Sequence, residues 1–109
     1  MLDFLTLIVL GIAVVILGIV NMTGNISTLH RYHRKRVSEE DIKPFGRLVG
    51  LGTVIMGVAF IIYGVLKLVS EQMQIDILLV VGTVELIVGI VVGMGLNFYA
   101  MIKYNKGIF

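Results

Sequence analysis

Polar positions along this chain are few and gathered together. Between them run three almost unbroken apolar blocks, roughly Phe4–Val20, Leu48–Leu66 and Ile77–Leu96. A helix needs about 20 mainly apolar residues to cross a bilayer core, and each block approaches that length. The blocks lack the strict apolar–polar alternation of a barrel strand, and an open strand would leave its backbone unsatisfied in lipid. The pattern therefore predicts an all-α integral membrane protein. Its three transmembrane helices fall at about residues 3–22, 46–69 and 76–102. The chain has 109 residues, of which 58% are hydrophobic. A soluble domain of that size has too little interior to hide so much apolar surface. Residues 1–109 read as one three-helix transmembrane domain, interrupted by a polar connector over about residues 23–45.

Glycine is placed with a period inside the blocks. Gly11 and Gly18 stand one heptad apart in the first span. Gly46, Gly50, Gly57 and Gly64, with Thr53, return to one narrow stripe of the second span, because steps of four and seven residues restore nearly the same helical angle. Gly82, Gly89 and Gly93 do the same in the third. Small-residue stripes let helix backbones approach closely in lipid, and heptad spacing favours left-handed packing at a shallow angle. The short second connector, read as Val69–Asp76, makes the second and third helices antiparallel neighbours. Stripes on three helices are expected to leave one unsatisfied within a monomer, which points to a homo-oligomer or another membrane-protein partner.

Charge decides orientation. The long connector contains Arg31, Arg34, Lys35, Arg36, Lys43 and Arg47, and the C-terminal tail contains Lys103 and Lys106. The N-terminal segment and the second connector are predominantly acidic, with Asp3, Glu71 and Asp76. The positive-inside rule then places the connector and the C-terminus in the cytoplasm and the N-terminus outside. No basic n-region or small-residue cleavage site marks the first block, so it reads as a retained helix rather than a signal peptide. Arg31, Arg34, Lys35, Arg36, Lys43 and Arg47 are suited to anionic headgroups, each worth about 1 kcal/mol at a membrane surface. Ser38-Glu39-Glu40-Asp41 resembles a capping box. It predicts a short interfacial helix with Ser38 as N-cap, a turn near Pro44, and then the second span.

Candidate chemistry narrows to one residue. Glu85 follows Asp76 by nine positions, roughly 13 Å along a helix and so near the bilayer centre. A charged group there costs at least about 2.5 kcal/mol and is a functional-site candidate by default. Its place three after Gly82 and four before Gly89 predicts that it faces protein. No Lys or Arg stands at matching depth. Tyr63 from the neighbouring helix is the leading intrachain hydrogen-bond candidate, with Thr83 and Thr53 behind it. Glu85 serves either as a proton or cation site or as a carboxyl that joins helices by hydrogen bonding. Small multidrug transporters also carry one intramembrane glutamate, but they have it in the first of four spans and have tryptophan, which this chain lacks.

Other chemistries find little support. Without cysteine there is no disulfide or thiol reactivity. His30 and His33 lack a third ligand for a metal. The cluster His30–Arg36 supplies charge but nothing to read bases, so nucleic acid is not an expected partner. The glycosylation-like triplets at Asn21 and Asn25 fall on the cytoplasmic side. No Walker loop, dinucleotide fingerprint or zinc-protease motif occurs, and neither an enzyme nor a cofactor is expected.

The run ISTLHRYHRKRVSEEDIKPFGRLVGLGT, followed by two glycine-rich spans and the ending YNKGIF, resembles small three-span membrane proteins of Gram-positive bacteria, the family known as domain of unknown function 3784. Ser38–Arg47 and Asn105–Phe109 carry the resemblance most specifically. It implies a plasma-membrane location and three helices, and no activity. A more distant likeness is to the membrane immunity proteins of the Sdp toxin system, through Ser-Glu-Glu leading to Phe45-Gly46. The aromatic and Arg-Thr-Pro parts of that signature are absent here. Residues and resemblance together predict a small non-enzymatic accessory or interaction protein, oligomeric, in a bacterial plasma membrane. The alternatives are an oligomeric proton or cation channel or carrier using Glu85, and an immunity-like protein.

Overall fold

A computed structural model of the chain describes residues 4–23, 37 and 39–105. They form three long helices and one short turn: α1 (Phe4–Met22), a 3-10 turn (Glu39–Asp41), α2 (Ile42–Met73) and α3 (Ile77–Tyr104). All three helices are long and apolar enough to cross a membrane, and no strand occurs among the described residues.

The second helix is longer than the apolar block predicts, by a turn at each end. It begins at Ile42 and runs through Pro44 without the turn expected there. Proline is tolerated in a first helical turn because the amide it lacks would have no intrahelical partner. Asp41 is the N-cap of α2 rather than the third residue of a separate helix, and its side chain makes no cap hydrogen bond. The interfacial helix thus reduces, over the described residues, to a 3-10 turn feeding directly into α2. Ser38, its expected cap, lies outside the described residues.

At the other end α2 continues through Lys67 and Glu71 to Met73, so the second connector is only Gln74–Asp76. The stop is local. Gln74 takes a left-handed conformation, φ 55° and ψ 44°, and donates its backbone N–H to the Ser70 carbonyl. The Ile75 amide donates to the same carbonyl at 3.1 Å. The buried Ser70 hydroxyl donates to the Ile75 carbonyl at 2.9 Å. These bonds satisfy carbonyl and turn groups that a helix end would otherwise orphan.

Glycine geometry sets the packing. A Cβ on Gly11 would lie 2.7 Å from the Gly57 carbonyl oxygen, and one on Gly18 2.7 Å from that of Gly50. Gly64 meets the Phe4 carbonyl in the same register. This is an antiparallel α1–α2 seam in which backbones touch. Gly52 is two residues from Gly50, a rotation of about 200°, and so serves the opposite side of α2. There it meets Gly93, while Gly89 meets Ala59 and Gly82 sits over Tyr63. Consequently α1 and α3 each pack extensively on α2 alone.

One sequence expectation is corrected here. The α2 stripe of Gly50, Gly57 and Gly64 and the α3 stripe of Gly82, Gly89 and Gly93 are both covered within a single chain. The physical reason is that α2 is small-faced on two sides, with Gly52 and Ala59 supplying the second. Gly46 is buried near the same end as Phe45. That end, where α1 finishes, α2 starts and α3 finishes, holds a tight cluster of Phe45, Val49, Ala100 and Met101. The Tyr104 ring meets Phe45 edge-on at 6.4 Å.

Candidate functional site

The α2–α3 pair is closely packed along one line and open beside it. An apolar groove of about 750 Å³ runs there, walled by Val58 and Ile62 of α2 and by Val81, Val84 and Val88 of α3. Among the described residues Glu85 is the one polar side chain that lines it. It reaches the groove because it follows Gly82 by three positions and precedes Gly89 by four, which puts it at the margin of the α3 stripe that touches α2.

The Glu85 carboxyl is half in the seam and half in the groove. The residue is partly exposed, yet its Oε2 is buried and accepts no hydrogen bond from the protein. The expectation that Glu85 faces protein therefore holds for one oxygen, while the side chain also borders an open face. An orphaned buried oxygen costs about 1–3 kcal/mol and usually signals a missing partner.

The expected intrachain partners do not supply one. The Tyr63 ring packs against Gly82, one turn before Glu85, 3.2 Å from the position a Cβ would take. The Thr83 hydroxyl donates backward to the Leu79 carbonyl at 2.8 Å, and the Thr53 hydroxyl to that of Val49 at 2.9 Å. Such back-bonds are the ordinary satisfaction of threonine within a helix. Tyr63 packs one turn before Glu85 without lining its groove, Thr83 lies about 200° round α3 on another face and lines a separate recess, and none of the hydroxyls serves the carboxyl.

A second orphan went unremarked by the sequence pattern. Asn97 Oδ1 is buried without a partner, and a Cβ on Gly52 would stand 3.3 Å from it. The signal is the lone amide in the apolar end of α3. Among the described residues no group of three or more His, Cys, Asp or Glu is placed to hold a metal.

Of the residues assigned to headgroups, Lys43 and Arg47 lie exposed on the first turns of α2. Arg31, Arg34, Lys35 and Arg36, with His30 and His33, lie outside the described residues. Lys103 joins them as a cation at that end. Its ammonium stands 5.7 Å from the Tyr99 ring centre and 5.2 Å from that of Tyr104.

Set against protein-family models, curated proteins and solved structures, the chain matches none. Function must be read from the open face and its carboxyl.

Proposed function

We propose that this is a small non-enzymatic membrane protein that works by assembling with a second copy of itself through the open α2–α3 face. The observation that carries the proposal is Glu85, a partly exposed carboxyl on an otherwise apolar groove whose Oε2 finds no partner within its own chain. A twofold axis along the membrane normal places Glu85 of each copy at the same depth. A neutral carboxyl is both donor and acceptor, so two of them satisfy each other without any group this chain lacks. A cation from the same chain is not available, because the described spans carry no Lys or Arg at that depth. The small and β-branched walls suit close helix contact in lipid. The excess of Lys and Arg in the connector supports a cytoplasmic C-terminus and an outside N-terminus, and the Ser38–Arg47 sequence supports grouping with the three-span Gram-positive family of unknown function, in the plasma membrane.

The chain contains no cysteine, so single cysteines test the interface cleanly. Val84→Cys should form a disulfide-linked dimer in oxidised membranes, and Ile12→Cys, exposed on α1, should not. Glu85→Gln keeps a donor and an acceptor and should retain the Val84→Cys cross-link. Glu85→Ala should weaken it several-fold. Absence of the cross-link at Val84 overturns the assembly. Loss of cation flux in proteoliposomes of Glu85→Gln, with the cross-link intact, replaces it with the channel or carrier reading.

A further inference from the structure

A separate recess of about 380 Å³ opens at the basic end of the helices. It is lined by Met22 of α1, Pro44, Arg47, Leu48 and Leu51 of α2, and Tyr104 of α3. It exists because α1 and α3 pack on opposite sides of α2 and leave the start of α2 uncovered between them. Its composition is two-part. Met22, Leu48 and Leu51 make an apolar floor, while the exposed Arg47 stands at the margin.

Cations line and flank it, although the carboxylates Glu39, Glu40 and Asp41 form the turn that leads into the same helix end. Among the described residues no carboxylate pairs with Arg47, and none lines the recess. Lys43 precedes Arg47 by four positions, one helical turn on the same face. The Tyr104 wall carries the Lys103 ammonium over its ring. An arginine fork matches phosphate oxygens in two-pronged fashion. Cations above an apolar floor, at the end of three membrane-length helices, complement an amphiphile with an anionic head.

We infer that this recess seats an anionic phospholipid, with the phosphate on Arg47 and the first part of an acyl chain on Met22, Leu48 and Leu51. The site is independent of the α2–α3 groove and of whatever assembles there. It also differs from diffuse attraction by the basic connector, because it needs shape as well as charge.

The test uses the full chain in neutral detergent, titrated with phosphatidylglycerol and, separately, phosphatidylcholine, with bound lipid counted by native mass spectrometry. One phosphatidylglycerol should be retained preferentially. Arg47→Gln should weaken its binding about five-fold, the value of one interfacial cation. Leu51→Trp keeps every charge, fills the floor, and should weaken binding by at least as much. Lys67→Gln, which changes a charge near the opposite end of α2, should have the smaller effect. Circular dichroism on each variant separates loss of lipid from loss of fold. Equal retention by wild type, Arg47→Gln and Leu51→Trp overturns the inference. So does displacement of the lipid by millimolar inorganic phosphate, which would mark a site for the free anion.

Discussion

Gly52 and Gly93 meet backbone to backbone where α2 crosses α3: a Cβ on either would lie 2.5 Å from the carbonyl oxygen of the other. Neither backbone can yield as a flexible side chain would. Gly52→Val should therefore destabilise the α2–α3 pair by about 1–3 kcal/mol. Gly95, two residues from Gly93 on α3, has nothing within 4 Å of its Cβ position. Gly95→Val should be close to neutral. Unfolding of both variants in mixed detergent micelles, followed by circular dichroism, makes the comparison.

The α1–α2 seam should fail as a unit. Gly11→Leu and Gly57→Leu each put a large side chain against the opposing backbone. Once one has separated the helices, the other finds its space already open. The double variant is expected to be less destabilised than the sum of the singles, by about 0.5–3 kcal/mol of coupling. A double-mutant cycle on detergent unfolding measures it, and simple additivity would mean that the two glycines do not share a contact.

Glu85→Val should separate stability from assembly. The substitution removes an orphaned oxygen, worth about 1–3 kcal/mol, from an apolar groove. The isolated chain should resist unfolding better than wild type, while the Val84→Cys dimer is lost. A variant that gained stability and kept the cross-link would show that the carboxyl takes no part in the interface.

The α2–α3 turn offers a fourth measurement. Gln74 is the one described non-glycine residue with positive φ, a conformation that costs most residues roughly 1–2 kcal/mol. Gln74→Val, β-branched, should lose stability on that scale, whereas Gln74→Gly should be neutral or better. Ser70→Ala should lose about 1 kcal/mol with its hydrogen bond to the Ile75 carbonyl. Thermal unfolding of the three variants tests the order Gly, Ala, Val.

The three helices were legible because lipid imposes a length and a composition that sequence displays directly. The ends were less so. Residues 69–73 read as part of the connector, yet helix formation continues there because nothing breaks it until Gln74. Pro44 suggests a break, but in a first turn it removes no hydrogen bond. The glycine stripe at Gly50, Gly57 and Gly64 was visible as a period. What covers it was not, since pairing with Gly11 and Gly18 depends on register between helices. Gly52 was hidden because the residue one heptad on along the same face of α2, Ala59, is not a glycine, so no glycine period marks that face. For Glu85, depth could be counted along the chain, but whether Tyr63 or Thr83 reached it depended on side-chain direction, and each turned elsewhere.

α2 spans 32 residues, about 48 Å, whereas the hydrocarbon of a bilayer is about 30 Å thick. α1, with 19 residues, is about 28 Å long and fits without excess. In a bilayer the surplus of α2 would lean or protrude, by an amount set by the thickness of the surrounding lipid. Because Gly11 and Gly18 on one side and Gly93 on the other hold their helices at backbone distance, neither outer helix can slide to compensate. In the proposed assembly, a thinner membrane would tilt the three helices together and change the angle at which the α2–α3 face meets its copy, so that bilayer thickness would set the geometry of that contact.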